Sequence, residues 1–508
     1  MARKIGVPFN SIFSWLIKKR IHQIDLFKQY PIDVQFDVFE QLIATAKDTE
    51  FGKQHKFKSI HSYKEFKNNI PLQSYEDIKP YVNRLKQGEQ NLLWPTEIKW
   101  FAKSSGTSGD KSKFIPVSKE ALTESHYQGG KDLLALYYSN HPKTKLFNGK
   151  HLILGGSAQI NYINNKSYFG DLSAIIVKNL PWWCELRRTP KKEITLMEEW
   201  EEKLDKMAES TVKEDVHILA GIPSWTLVLL KKILEKNNTD NIIDIWPNLE
   251  LYMHGGVSFE PYEEQFKAII QKSNMNYVQT YNASEGCFGI QDRVVADDML
   301  LMLDYGIFYE FIPMDEFESD SPTVICIEDV ELNVNYALVI STNAGLWRYV
   351  IGDTIIFTSL KPYRFKVSGR TKNYINAFGE EMIIDNAEKA IKIACEKAKA
   401  QVKEYTACPI YIDKSSTGGH QWLIEFEDEP ENLEYFTQTL DMALKSINSD
   451  YEAKRSNSLT LRSPVIQKVQ KGTFYAWLKS KGKAGGQNKI PRLSNDRKIV
   501  DEILELIK

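Results

Sequence analysis

The sequence predicts an α/β protein. It has a large N-terminal α/β domain with an associated β-rich part, followed by a smaller α+β C-terminal domain. Three observations carry this reading. Between 150 and 290, short apolar runs alternate with helical stretches. From about 299 to 368, strand-type runs follow one another. After Lys372 the pattern changes to a helix, a strand pair and a second helix. The expected domains are therefore 1–371 and 372–508.

Residues 1 to about 90 show apolar positions at helical spacing, with Ile70-Pro71 and Lys79-Pro80 expected as turns. The first twenty residues, MARKIGVPFNSIFSWLIKKR, lack a small-residue cleavage site, and Lys18 and Lys19 interrupt the apolar stretch. They read as an amphipathic helix docking on the core rather than a targeting signal. HLILGG (151–156), VHILAG (216–221), LELYMHGG (249–256) and NYVQTY (276–281) read as buried strands. Between them, Ser224 to Lys236 reads as a helix with Ser224 as its N-cap. In such a fold, ligands are expected at the C-terminal ends of the strands.

The runs LLMLDYGIFYEFIP, TVICIE, YALVIST, DTIIFTS and RFKVSG predict an antiparallel meander or a small barrel beside the α/β core. Beyond Lys372, helices are expected over Asn386 to Gln401 and Glu431 to Asn448. A strand pair is expected around Ile410 and Trp422 to Phe426. The Lys- and Gly-rich tail from Lys468 to Leu493 reads as a loop over a site.

Composition narrows the function classes. Of 508 residues, 42% are hydrophobic and 26% charged, as in ordinary soluble globular proteins. A formal net charge of −2 gives no global electrostatic case for nucleic acid or an anionic membrane as partner. The five cysteines (Cys184, Cys287, Cys326, Cys395 and Cys408) are scattered and form no C-x-x-C pair. That argues against a disulfide framework or zinc knuckle and fits a reducing, cytoplasmic setting. No H-E-x-x-H occurs, and no run is long and charge-free enough to span a bilayer.

Five segments can carry chemistry. Ser104-Ser105-Gly106-Thr107-Ser108-Gly109-Asp110-Lys111-Ser112-Lys113 packs hydroxyls, glycines and lysines into ten residues. Glycines let backbone N–H groups approach phosphate oxygens, and lysine offsets their charge. Its spacing is not that of a Walker A loop, and by composition alone it is equally a flexible surface loop. His254-Gly255-Gly256-Val257 follows a strand, where paired glycines admit a planar ligand or simply make a tight turn. Thr280-Tyr281-Asn282-Ala283-Ser284-Glu285-Gly286 offers a ring to stack on a base and a carboxylate for Mg²⁺, or is a polar turn. In Trp347-Arg348-Tyr349-Val350-Ile351-Gly352-Asp353 the acid suits ribose hydroxyls, or pairs with Arg348 on the surface. Ser368-Gly369-Arg370-Thr371-Lys372-Asn373 is a basic linker whose cations can face a phosphate.

In their order along the chain, these segments resemble the acyl-adenylate-forming superfamily that includes firefly luciferase and the acyl-CoA ligases. Within it they are most similar to the Gretchen Hagen 3, auxin-responsive-promoter family of acyl acid amido synthetases. SSGTSGDKSKFIP (104–116), TYNASEG and RYVIGD resemble that family's three motifs, with Trp347 where tyrosine is common. Thr49 to Lys53, IPLQSYEDIKPY (70–81) and Gln487 to Arg492 extend the resemblance over nearly the whole chain.

The resemblance implies ATP and Mg²⁺ as cofactors, and a small-molecule carboxylic acid and an amine as substrates. Ser104, Ser105, Gly106, Thr107, Ser108 and Lys113 would grip the phosphates. Gly255, Gly256 and Val257 would border adenine, with Tyr281 near the base. Ser284 would lie near the phosphates and Glu285 would hold the metal. Asp353 would bind the ribose, with Arg370 beside it. Lys372 would sit at the hinge of a mobile C-terminal lid, and Lys489 would enter the site from that lid. Lys111 has no counterpart in the pattern. The expected reaction joins the acid to AMP and then passes the acyl group to an amine, such as that of an amino acid. The alternative acceptor is coenzyme A. Such chemistry brings two anions together, so it needs positioned cations and N–H donors rather than a protein nucleophile. Pro181 to Arg188 and Ile222 to Trp225 are aromatic-rich and line either an acyl pocket or plain core.

Overall fold

The computed structural model describes residues 7–105, 112–154, 161–164, 166–197, 200–371, 374–412, 417–455, 461–481 and 490–507. Its centre is one sheet of twelve strands. One half is parallel: Arg188–Thr189, Lys150–Ile153, Val216–Gly221, Leu251–Gly255 and Asn276–Ala283. At the Asn276–Ala283 strand the chain turns back through Ser284-Glu285 into Gly286–Ile290, and pairing becomes antiparallel. Met299–Leu301, Tyr363–Arg370, Tyr349–Leu360, Asn335–Thr342, Ile307–Pro313 and Ile325–Cys326 then follow in space. The β-rich stretch is thus a continuation of the core sheet, not a barrel beside it. Its strands are joined by short connections, which favour antiparallel neighbours, whereas the parallel half needs helical crossovers. A second sheet of four strands contains Ser112–Val117 and Trp100–Ser105 side by side.

The opening region is helical, as its spacing predicts, with long helices at Val7–Gln29 and Pro31–Ala46. Two local expectations are corrected. The helix Tyr75–Lys86 runs straight through Pro80 instead of breaking there. An interior proline costs about 3 kcal/mol. Here the Ser74 N–H is satisfied by Asp77, and Tyr75, Ile78, Val82 and Leu85 are buried along one face, which offsets that cost. The helix Pro223–Asn237 begins one residue before Ser224. Pro223 occupies the first turn, where its missing N–H is harmless, and Ile222 stands at the cap. Ser224 is instead buried within that first turn.

Two large cores flank the sheet. One joins the N-terminal helices to the antiparallel half, including Phe27, Phe39, Phe66, Phe308 and Trp347. The other joins the crossover helices of the parallel half to the C-terminal region, from Leu219, Trp246 and Tyr262 to Phe378, Trp422 and Leu440. The C-terminal region contains the helices Ile384–Ala398 and Leu433–Ile447 and the strands Gln401–Ile410, Gly419–Asp428 and Val465–Val469. Tyr262 Oη donates to the Ala377 carbonyl at 2.7 Å, tying the two regions together. The tail is not wholly loop: Thr473–Ser480 is a helix, with Phe474 and Trp477 buried. Among the described residues no helix is long and apolar enough to cross a membrane.

Candidate active site

The site forms where the parallel half of the sheet gives way to the antiparallel half. Gly255 closes one parallel strand so tightly that a Cβ there would meet the Thr280 carbonyl oxygen at 2.4 Å. Gly256 follows in the left-handed region, φ 82°, which glycine alone adopts readily. Its carbonyl accepts from Asn376 Nδ2 at 3.3 Å. Val257 turns its side chain into the core, so the open room at this turn belongs to the glycines.

One strand further, Tyr281 packs its ring near Phe288 and Phe365, with centroids 4.9 and 6.1 Å away. Its hydroxyl donates a short hydrogen bond to Asp353. Asp353 lies directly opposite Arg370 in the antiparallel register. Cross-strand partners share a face, and Arg370 Nε sits 3.0 Å from Asp353 Oδ1. Arg370 Nη2 reaches Glu381 Oε1 at 3.2 Å, and its guanidinium lies 5.4 Å from the Tyr374 ring centre. The Arg348–Asp353 surface pair considered from sequence does not form. Arg348 is buried, with φ 45°, and pairs with Glu310 at 3.1 Å.

Lys113 comes from the second sheet, in register with Ser104. Burial lowers its pKa, while Glu285, Glu381 and Asp353 pull it back up. Glu285 occupies the two-residue turn after Tyr281's strand, beside Ser284. Burial pushes its carboxyl up to about 7, opposed by Lys113 and reinforced by Asp353 and Glu381. Burial lowers the pKa of Arg370, but Glu381 and Asp353 more than reverse this. Tyr349 Oη is fully buried, has no hydrogen-bond partner among the described residues and feels the charge of Glu285. The described part of the site therefore holds three carboxylates, Glu285, Asp353 and Glu381, against two cations, Lys113 and Arg370.

Lys113, Ser104, Gly255, Gly256, Tyr281, Ser284, Glu285, Asp353 and Arg370 are thus placed at one sheet junction. Gly106, Thr107, Ser108, Lys111, Lys372 and Lys489 lie outside the described residues, as does the side chain of Ser105. Sequence reasoning missed Glu381, Asn376 and Tyr349. Glu381 follows the Gly379 turn (φ 86°), and no local pattern distinguishes it from an ordinary surface acid.

Comparison with known proteins places the fold and the family. The fold is that of an acyl acid amido synthetase solved with 2,4-DB, AtGH3.15, which matches at a TM-score of 0.62 and 18% identity. That match covers 99% of this chain and 97% of that one. A 2-hydroxyisobutyryl-CoA ligase in its thioesterification state shares the fold at a TM-score of 0.56 and 11% identity, over 94% and 92% of the two chains. The GH3 family N-terminal domain matches residues 20–275, the central domain 300–370 and the C-terminal domain 385–498. The chain belongs to the GH3 family. Among curated relatives, the 4-substituted benzoates-glutamate ligase GH3.12 of Arabidopsis thaliana is 25% identical, covering 93% of this chain and 94% of the relative. The indole-3-acetic acid-amido synthetase GH3.3 of the same plant is 22% identical, over 90% and 89%.

Proposed function

We propose that this protein is an ATP-dependent ligase that converts a carboxylic acid to an acyl-adenylate and then transfers the acyl group to the amine of an amino acid, releasing AMP. The observation that carries the reading is the convergence of Lys113, Glu285, Asp353, Arg370 and Tyr281 at the sheet junction of a GH3-family chain. Asp353 would bind the ribose hydroxyls. Tyr281 and Arg370 each engage one of its oxygens, which fixes its orientation and leaves lone pairs for the sugar. The Gly255-Gly256 turn would take the adenine edge. Lys113 would face the α-phosphate and offset charge as the carboxylate attacks. Glu285 fits a magnesium ion, because its carboxylate is poorly neutralised and Mg²⁺ is commonly held by one or two carboxylates plus substrate phosphates. Bound there, Mg²⁺ would supply charge neutralisation between acid and phosphate.

Lys372 and Lys489 would complete the proposed phosphate contacts, and a domain boundary at 371/372 would let the C-terminal part move between half-reactions. Two relatives are named for indole-3-acetate and for 4-substituted benzoates, so planar aromatic acids are the first substrates to try. The test is acid-dependent ATP–pyrophosphate exchange across such acids, followed by mass identification of the product with amino acids or with coenzyme A. An acyl-amino acid is expected. Thioester without amide would overturn the acceptor, and no exchange with any acid would overturn the adenylation.

A further inference from the structure

A second charged cluster adjoins the adenylation site on its C-terminal side. The helix Ser449–Arg455 packs against the small sheet that carries Lys113, and Ser112 Oγ donates to Ser449 Oγ at 2.9 Å. Glu381 is a charged neighbour of both Lys113 and Asp450, and so links the two clusters. Asn448 fixes the approach. Its Oδ1 accepts from the Asp450 N–H at 2.9 Å, and its Nδ2 donates to the carbonyls of Glu380 and Glu381 at 3.0 and 3.2 Å.

One helical turn beyond Asp450, Lys454 is buried with its ammonium 4.1 Å from the centre of the Trp225 ring. A Cβ on Gly379 would lie 3.2 Å from the Lys454 Cε and 3.9 Å from Ile222 Cδ1. A Cβ on Gly256 would lie 3.5 Å from Ile222 Cγ1. The cluster is therefore contiguous with the glycine turn of the proposed nucleotide site, separated from it by one side chain.

Resting on the adenylation reading above, we infer that this cluster is the acceptor site, that it takes a zwitterionic α-amino acid, and that Asp450 receives the proton from its ammonium while Lys454, with Lys103, reads its carboxylate. The chemistry demands such a group. An amino acid arrives as R–NH₃⁺, which has no lone pair for attack. Asp450 takes one proton. The freed lone pair then forms the C–N bond at the acyl carbonyl carbon, and the bond from that carbon to the bridging oxygen breaks, its electron pair leaving with that oxygen on AMP. The amide nitrogen sheds its second proton to the departing phosphate. Burial suits Asp450 to this task by pushing its carboxyl up to about 7, near working pH. The groups that face it are Lys454 on its own helix, Glu381 in the preceding loop, Asp171 before the helix Leu172–Lys178, and Lys103 on the strand Trp100–Ser105. Lys454 and Lys103 oppose the rise, while Glu381 and Asp171 add to it. An anion and cations side by side match a zwitterion. Lys454's position over an indole, in a buried interface, leaves it suited to one carboxylate rather than to the phosphates of a long cofactor.

The test separates the two half-reactions. With an acid that supports pyrophosphate exchange and with glutamate as acceptor, Asp450→Asn should slow amide formation at pH 7 on the order of 100-fold more than it slows exchange. It should also remove the inflection near pH 7 from the amide rate. Hydroxylamine is largely unprotonated at that pH and carries no carboxylate, so transfer to it should fall by far less. Asp450→Glu should restore part of the glutamate rate. Lys454→Gln should raise the KM for glutamate roughly tenfold, while leaving transfer to hydroxylamine nearly intact. Equal losses for glutamate and hydroxylamine, or an Asp450→Asn protein with an unchanged amide rate and pH profile, would overturn the assignment. Absence of exchange in the unaltered protein would instead overturn the adenylation reading beneath it.

Discussion

Arg370 holds two acids at once, and this makes a quantitative prediction. In Arg370→Gln, Asp353 and Glu381 lose a cation at 3.0 and 3.2 Å, leaving Lys113 to face three carboxylates. Breaking a buried pair from one side costs about 3–5 kcal/mol. Arg370 and Glu381 retain 20% and 28% side-chain exposure, so solvent screening brings the expected loss to about 2–3 kcal/mol. Asp353→Asn alone should cost about 1–2 kcal/mol, because Arg370 keeps Glu381 and the Asn oxygen still accepts from Tyr281. The double variant should then fall short of the summed losses by about 1–2 kcal/mol, since much of each single cost is a stranded partner. The assay is urea denaturation of the four proteins at pH 7.5, compared at the same transition. A coupling below about 0.5 kcal/mol, the level at which distant sites simply add, would refute the idea that Asp353 and Arg370 act as a pair.

Three further outcomes are expected. Lys113→Ala should slow pyrophosphate exchange roughly 100- to 1,000-fold, as loss of one charge-stabilising donor does elsewhere; unaltered exchange would remove Lys113 from the site. Tyr281→Phe deletes the hydroxyl bonded to Asp353, and a bond to a charged group contributes about 1.5–3 kcal/mol, so the KM for ATP should rise at least roughly tenfold. An unchanged KM would mean that Asp353 needs no such orientation. His126 and His254 are buried, and burial depresses their pKa values to about 4 and about 3. Their neutral forms stabilise the fold fully above the unfolded value near 6.5, and that stability is lost as pH falls from there toward the folded values. Each should cost about 1.4 kcal/mol at pH 5.5. His254→Gln should therefore lose less stability than the unaltered protein between pH 7.5 and 5.5, and parallel losses would rule out a neutral buried imidazole there.

The class of fold was legible because it depends on periodicity. Runs such as VHILAG and YALVIST are strands for the same reason in sequence and structure, and the parallel half was separable from the antiparallel half by its helical crossovers. What escaped was arrangement. Nothing local says that Met299–Leu301 pairs with Gly286–Ile290 on one side and Tyr363–Arg370 on the other, fusing two apparent units into one sheet. Pro80 misled because proline was read without its context: a satisfied N-terminus and a fully buried face carry the helix past it. The glycine-, serine- and lysine-rich segments were singled out because their composition itself suits phosphate; of the first, the described residues hold the flanks, Ser104 and Lys113, in register across one strand pair. Glu381, Asn448 and Asp450 were not, because each gains meaning only from a neighbour distant in sequence.

The contrast between Arg348 and Arg370 shows the physical limit most clearly. Arg348 stands five residues before Asp353, and proximity in sequence suggested a pair. Arg348 stands just before the strand in the left-handed region, φ 45°, and Gly352 at φ 95° intervenes before Asp353, so no regular strand spacing relates the two side chains. Arg348 turns into the core, where Glu310 receives its guanidinium and the Ile70 carbonyl accepts from Nη1 at 2.7 Å. Arg370 is seventeen residues from Asp353 but directly across the ladder, on the same face. The pairing rule therefore depends on register, and the antiparallel strand return after Lys361-Pro362 sets that register. A site built on cross-strand partners is rigid for the same reason: Asp353 and Arg370 cannot separate without breaking the ladder that holds them. The groups on the C-terminal side, Glu381 and Asp450, are held through the side chains of Arg370 and Asn448, with the helix of Asp450 tied down by the Ser112–Ser449 bond, rather than by that ladder. Those bonds can be exchanged one at a time, which is the property needed where an acceptor must enter and a product must leave.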